Sequence, residues 1–375
     1  MKQPTTPCLL LDTAKMERNI GRMRDHLVAL GVPLRPHLKT CKSIDVARRI
    51  LDAGNTAGIT VSTLAEADYF FGHGMRDILY AVGIAPGKLE AAAGRLTQGM
   101  ELGLILDHPD AARAVAEGCR RLDAGFRLLL EVDADGQRAG FHPDDAGLLK
   151  AADELTAAGC TVAGVMVHAG GSYNCRDTDC IRKIARDERD AAVTAAKRLR
   201  AHGLEAPVVS VGSTPTAAFA TDLSGVTEVR AGVYVFQDLV MAGLGVCEIE
   251  DIAISVLIEV IGHRDSAGEI LVDAGWMALS RDRGTAGQAL DQGYGLVCDA
   301  DGEPLNDVIV TATNQEHGII GRRDGGPLEL SEFPIGSRLR VLPNHACATA
   351  AQHAGYRLIG PDGRPGEWWP RIGGW

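Results

Sequence analysis

The feature that most limits how this chain can fold is a repeated alternation. Short apolar runs near residues 32–35, 58–62, 77–82, 102–106, 126–132, 162–168, 206–211 and 227–230 are followed by helical stretches, among them 43–53, 64–73, 87–98, 109–121, 144–158 and 181–203. A short apolar run bounded by turn residues reads as a strand buried on both faces, and an amphipathic stretch after it reads as the crossover helix that covers the sheet. About eight such units over roughly 230 residues is the count and length of a (β/α)8 barrel. A doubly wound open sheet is the alternative, weakened because no Gly-x-Gly-x-x-Gly follows the first strand.

Flanking segments complete the plan. Pro7–Leu11 reads as a strand, and Asp12 or Thr13 caps a helix with Met16, Ile20, Met23, Leu27 and Leu30 on one face. After residue 245 helical periodicity fades. Strand-like runs take over at 252–262, 269–273, 294–298, 307–312, 338–342 and 355–359, with turn signals at Asp299-Ala300-Asp301-Gly302 and Gly360-Pro361-Asp362-Gly363. We expect an α/β protein: a barrel domain over residues 1–244, with 1–11 joining the other domain, and an all-β domain over 245–375.

Composition narrows the partners. The net charge of −11 is spread along the chain, which argues against nucleic acid or an anionic membrane. No apolar run is long enough to span a bilayer, and the N-terminus lacks the apolar core of a secretion signal, so a cytoplasmic protein is expected. The nine cysteines form no regular framework and read as reduced thiols, small core residues or ligands. Cys175 and Cys180, in a polar loop, could pair or bind metal.

Barrels build their sites at the C-terminal ends of the strands. The first strand exits through Leu34-Arg35-Pro36-His37-Leu38-Lys39, where Pro33 and Pro36 limit a regular ladder. A lysine just past a buried strand is expected in low-dielectric surroundings that favour a nucleophilic amine. The fifth strand leads to Arg138. The sixth ends in His168, with Gly170-Gly171-Ser172-Tyr173 beyond it. The seventh ends in Gly212-Ser213-Thr214 and the last gives Arg230, Gly232 and Val233. Gly212-Ser213-Thr214 should offer exposed backbone N–H groups and two hydroxyls to a phosphate, and Gly232-Val233 does similarly. His168 and Tyr173 could pack on a flat ring. A lysine amine, a phosphate site, a stacking ring and two arginines together describe a site for pyridoxal 5′-phosphate held as a Schiff base. In the β domain, Asn344-His345-Ala346-Cys347 follows a strand. On an extended segment His345 and Cys347 face the same side, and imidazole with thiolate suits zinc. Asp273 and Glu316-His317-Gly318 are further polar clusters there.

These residues resemble the D-serine dehydratase and D-threonine aldolase family of fold-type III pyridoxal phosphate enzymes, relatives of alanine racemase. The resemblance covers nearly the whole chain, through Thr6–Asp12, Arg35–Lys39, Gly136–Gly140, Gly212–Thr214 and Pro343–Cys347. It implies that Lys39 is the Schiff-base lysine and removes the substrate α-proton. It further implies that Arg138 contacts the cofactor's phenolic oxygen, that His168 packs on the ring, and that Ser213, Thr214, Gly232 and Val233 hold the phosphate. Arg230 would face the pyridine nitrogen. His345 and Cys347 resemble the zinc ligands of the family's metal-dependent D-serine dehydratases, whereas its aldolases tend to carry His-x-Asp; manganese is the other candidate metal. The expected activity is dehydration of D-serine or a related β-hydroxy D-amino acid. Retro-aldol cleavage to glycine and an aldehyde is the runner-up, and a racemase using Tyr294 as second base is a third reading. A pyridoxal phosphate carrier without catalysis would lack the residues after 245, and a barrel hydrolase would lack the cofactor. Kinship also implies a head-to-tail homodimer.

Overall fold

The computed structural model describes residues 4–360 and 365–375. Residues 361–364 of the second turn signal lie outside them. The chain divides into two compact units. One comprises Arg22–Lys39, Ile50–Gly232 and the last two residues; the other comprises the residues through Gly21, Thr40–Arg49 and Val233–Gly373.

The first unit is a parallel barrel. Its strands are Leu34–Pro36, Ile59–Val61, Asp77–Gly83, Glu101–Leu106, Arg127–Val132, Thr161–Val167, Val208–Val211 and Glu228–Ala231, each pairing with its sequence neighbour from Ile59–Val61 onward. Leu34–Pro36 pairs with Glu228–Ala231, and bridges from Leu34 to Thr56 and His37 to Thr60 close the ring. Each strand falls within a few residues of an expected apolar run, because a strand covered on both faces must be apolar along its length. The first is three residues long, as Pro36 has no N–H to continue the ladder. The backbone beyond is still held: His37 N–H donates to the Ala231 carbonyl at 2.8 Å and Leu38 N–H to that of Thr60 at 2.9 Å.

The barrel interior is not wholly apolar. Leu79, Ile105, Leu129, Ala163 and Met166 form one buried cluster. Beside it, Arg35 pairs with Glu228 and with Asp77, both at 2.7 Å, and Asp77 also takes Arg127. Ser210 Oγ donates to Glu228 at 2.7 Å and accepts from Arg230 at 2.6 Å. A polar chain thus runs from half-exposed Arg127 and Asp77 through buried Arg35, Glu228 and Ser210 to Arg230.

The second unit is a nine-stranded sheet in the order Glu269–Val272, Gly318–Arg322, Pro304–Thr313, Leu296–Cys298, Arg338–Leu342, Ile254–Arg264, Cys8–Asp12, Gly355–Ile359, Pro365–Pro370. The pairings are antiparallel except that of Cys8–Asp12 with Gly355–Ile359. The far half of Ile254–Arg264 also pairs with Glu269–Val272, closing six strands into a ring. Leu239, Ile252, Leu296, Cys298, Ile309 and Leu342 pack as one core cluster. The strand Gly318–Arg322, read from sequence only as part of a polar cluster, forms because both neighbours supply partners; two of its five residues are glycine, which masks the pattern.

The expectation of reduced cysteines fails at two pairs. Cys119 is bridged to Cys160, and Cys175 to Cys180. The first joins the helix Pro109–Leu122 to the residue before strand Thr161–Val167, a proximity that a separation of 41 positions does not reveal. Cys8, Cys41, Cys247, Cys298 and Cys347 are not in disulfides. Among the described residues no helix is long and apolar enough to cross a membrane.

Candidate active site

In the barrel unit the strand ends gather Lys39, His37, Arg138, His168, Arg230 and Gly212. Lys39 is exposed, which corrects the expectation of a lysine in low-dielectric surroundings. What distinguishes its setting is charge. Burial, then the nearby Lys39, Arg230, His168 and Arg138, hold the His37 imidazole well below the usual histidine range. Its Nδ1 is enclosed and has no hydrogen-bond partner among the described residues.

His168 follows the strand Thr161–Val167, and its Nδ1 lies 3.1 Å from the Gly212 carbonyl oxygen. A carbonyl only accepts, so Nδ1 carries the proton. Burial lowers the pKa of His168 to about 4 against that hydrogen bond, with Arg138, Arg230 and Lys39 acting in the same direction as burial. The ring is therefore neutral near pH 7. Tyr173, in the short helix Gly170–Asn174, has its ring centre 6.4 Å from that of His168.

Arg138 stands in a loop that returns on itself: Phe141 N–H donates to the Glu131 carbonyl at 2.9 Å, and Asp133 N–H to that of Phe141 at 3.0 Å. Its guanidinium pairs with the buried carboxylate of Glu131, which fixes an exposed arginine in place. Asp135, in the same loop, accepts from Gly171 N–H at 2.7 Å. Arg230 is 3% exposed and donates to Ser210 Oγ and to the Val167 carbonyl, both at 2.6 Å.

Gly212, Ser213 and Thr214 do follow their strand, but not as exposed donors. Ser213 and Thr214 are buried; Gly212 N–H is taken by Glu188 at 3.0 Å and Ser213 N–H by Thr216 Oγ1 at 2.9 Å. The reason is a capping box: Ser213 and Thr216 exchange side-chain and backbone bonds at the start of the helix Thr214–Phe219. Gly232 ends the barrel unit. Val233 opens the second unit in a tight turn, its carbonyl accepting from Phe236 and Gln237.

This set fits pyridoxal phosphate. It offers an amine for the cofactor's carbonyl carbon, arginines for anionic oxygens, a flat neutral ring and an enclosed polar atom, His37 Nδ1, that no described residue satisfies.

In the second unit His345 has extended backbone and Cys347 lies in the short helix Ala346–Ala350, which corrects the picture of one extended segment. The two side chains are nonetheless hydrogen-bonded. His345 Nδ1 lies 2.9 Å from Asp282 Oδ2, leaving Nε2 as the ligating nitrogen. Burial lowers the His345 pKa, but the bonds to Asp282 and Cys347 outweigh it and raise it to about 11. Cys347 Sγ is 3.2 Å from the hydroxyl of Thr40, the residue after Lys39 in the chain. Asn344 donates to the carbonyls of Asp282 and Gly293 and accepts from Thr285, while buried Asp238 accepts from Ala346 N–H. Among the described residues no group of three or more His, Cys, Asp and Glu side chains that could hold a metal ion is formed, and His345 and Cys347 are a pair that could supply two ligands. A softer thiol and an oriented imidazole suit zinc, with further positions left for water or substrate. Asp273 accepts from Glu259 N–H at 2.8 Å within the sheet, and Tyr294 is covered by the Arg283 guanidinium, 4.9 Å from its ring centre.

Sequence reasoning missed Glu131, Glu188, Asp238 and Asp282. None of them belongs to a recognisable local motif, and only the tertiary fold shows what each holds.

Known proteins resemble this chain along its length. Residues 11–239 match the family model "Alanine racemase, N-terminal domain" and residues 253–359 match "Putative serine dehydratase domain". The D-threo-3-hydroxyaspartate dehydratase of Delftia sp. (strain HT23) is 50% identical over 99% of this chain and 98% of its own. Its solved structure superposes with a TM-score of 0.97, and another structure of that enzyme is of a cysteine-to-alanine variant in the metal-free form. A D-serine dehydratase of Dictyostelium discoideum is 31% identical over 95% of this chain and 94% of its own. The D-threonine aldolase of Filomicrobium marinum superposes with a TM-score of 0.79 at 27% identity, covering 98% of this chain and 95% of that one.

Proposed function

The chain belongs to the family of pyridoxal phosphate-dependent lyases that join an alanine racemase-type barrel to a serine dehydratase domain, and on that premise we propose that it removes water from a β-hydroxy D-amino acid to give an enamine, which takes water back on hydrolysis to a 2-oxo acid and ammonia. The substrates are D-serine and analogues with a further substituent on Cβ, including 3-hydroxyaspartate, on which the Delftia relative acts. When bound, the cofactor draws electrons from the substrate α-carbon and a divalent cation, zinc or manganese, polarises the β-hydroxyl.

The residues divide the work. Lys39 Nζ would hold the cofactor at rest and, once freed by the incoming substrate amine, would accept the α-proton. Arg138, steadied by Glu131, meets the phenolic oxygen. Neutral His168 packs on the ring with Tyr173 beside it, and His37 Nδ1 supplies a polar contact. Ser213, Thr214, Gly232 and Val233 would line the phosphate, with Gly212 shaping that loop; the Gly212 and Ser213 amides, taken by Glu188 and Thr216, are not among its donors. Arg230 faces the pyridine nitrogen and, as a fixed cation, disfavours its protonation. His345 and Cys347 hold the cation that orients the departing hydroxyl, and Asp282 holds His345. In this reading the active protein is a cytoplasmic homodimer.

The observation that carries the reading is the oriented imidazole of His345 bonded to the Cys347 thiol. Incubation with D-serine, D-threonine and D-threo-3-hydroxyaspartate, followed by product identification, tests it. Pyruvate, 2-oxobutyrate or oxaloacetate is expected. Glycine with an aldehyde would make the protein an aldolase, the second reading favoured by its likeness to the D-threonine aldolase.

A further inference from the structure

Glu188 has no part in the chemistry above, yet it is a deeply buried carboxyl group beside it. It projects from the middle of the long helix Thr178–Ala201 and is 2% exposed. A carboxyl group so placed costs several kcal/mol unless donors surround it. They do: Ala169 N–H and Gly212 N–H both donate to Oε1 at 3.0 Å, and the Thr216 side chain is also bonded to Glu188. Ala169 and Gly212 stand just beyond adjacent barrel strands, Thr161–Val167 and Val208–Val211. One carboxyl oxygen therefore ties together the loop that bears His168 and Tyr173 and the loop that bears Ser213 and Thr214.

The rest of the network closes on the same group. Thr216 Oγ1 accepts from Ser213 N–H and is bonded to Ser213 Oγ at 2.9 Å. Ser213 Oγ is 3.0 Å from Ser172 Oγ, which donates to the Ala169 carbonyl at 2.8 Å. His168 Nδ1 spans to the Gly212 carbonyl. Glu188, Ser172, Ser213 and Thr216 are all buried, so water cannot replace a lost partner at low cost. Gly212 must be glycine for this to form: its φ is +132°, and a Cβ would meet the Arg230 carbonyl oxygen at 2.2 Å.

We propose that Glu188 is a positioning residue for the cofactor's phosphate: it locks the two loops in one arrangement, so the donors that meet the phosphate are set before it arrives. This rests on the cofactor reading above and deepens it. Glu188 itself contacts neither cofactor nor substrate.

The test compares binding of pyridoxal phosphate and of pyridoxal, which lacks the phosphate, to the apoenzyme by visible absorbance. Glu188→Ala is expected to weaken pyridoxal phosphate binding by about tenfold or more, the scale of losing an outer-shell partner, and to weaken pyridoxal binding clearly less, because the loop bearing the ring contacts His168 and Tyr173 is only one of the two that it holds. Glu188→Gln keeps an oxygen for both amides; its N–H requires the Thr216 hydroxyl to turn its hydrogen to the Ser213 carbonyl, an acceptor already within reach, so its affinity should stay within about threefold of the parent. Amide hydrogen exchange at residues 169 and 212 of the apoenzyme should quicken in Glu188→Ala and not in Glu188→Gln. If Glu188→Ala does not fold, Ser172→Ala must show the same selective loss. Unchanged pyridoxal phosphate affinity in Glu188→Ala, or an equal loss for pyridoxal, overturns the proposal. A parent protein that develops no visible band with either compound overturns the cofactor reading itself, which is a separate result.

Discussion

Replacing Glu228 with leucine probes how the barrel supports its site. The Glu228 carboxylate accepts from Arg35 Nε at 2.7 Å through one oxygen and from Ser210 Oγ at 2.7 Å through the other. Ser210 in turn accepts from Arg230. Arg35, Glu228, Ser210 and Arg230 are at most 5% exposed, so the substitution strands a buried guanidinium. Breaking a buried pair by removing one partner costs about 3–5 kcal/mol. Arg35 keeps Asp77 and the Ile59 carbonyl, which places the cost near the low end, about 3 kcal/mol. For a unit of this size, about 2–4 °C is lost per kcal/mol, so calorimetry should show the barrel transition about 6–12 °C lower. The double variant Arg35→Met, Glu228→Leu removes both charges and should recover most of that loss, because an apolar replacement of a buried pair is often neutral. A Glu228→Leu protein melting within about a degree of the parent, or a double variant no more stable than the sum of its singles predicts, would refute the reasoning.

Asp282→Ala should weaken zinc binding about 10–100-fold by freeing His345 to rotate, measured by competition with a chromogenic chelator; unchanged affinity would deny Asp282 its role. His168 gives a pH signature in the apoenzyme. The unfolded imidazole takes up a proton near pH 6.5 and the folded one only near 4, so the unfolded state binds more protons between these values and stability falls as pH drops through that window. Urea unfolding at about pH 7 and pH 5 should show a loss that His168→Gln reduces by about 2 kcal/mol; equal losses in both proteins would contradict the buried neutral ring.

How much was legible beforehand follows from where each signal resides. The eight barrel strands were readable because burial on both faces leaves an uninterrupted apolar run, as in Arg127–Val132. Lys39, Arg138, His168 and Arg230 were singled out because barrels place their sites at strand ends, and the fold gathers all four around His37. The partners that hold them were not. Asp282 is 63 positions from His345, Asp238 is 108 from Ala346, and Glu188 is 24 from Gly212, so no local pattern joins them. The internal commitment of the Gly212 and Ser213 amides was hidden for the same reason: a Gly-Ser-Thr sequence looks alike whether its N–H groups face a ligand or a buried glutamate. Cys119 and Cys160 lie in separate elements, and only the side-by-side pairing of the strands Arg127–Val132 and Thr161–Val167 that follow them brings them together.

The central claim is that elimination needs a cation held by His345 and Cys347 while Lys39 keeps the cofactor. Purified protein treated with a chelator and supplied with D-serine or D-threo-3-hydroxyaspartate tests it most directly, with 2-oxo acid release and the visible cofactor band followed together. Loss of 2-oxo acid release with the band retained, and recovery on adding zinc or manganese, is the predicted result. Undiminished release from the metal-stripped protein would contradict the account.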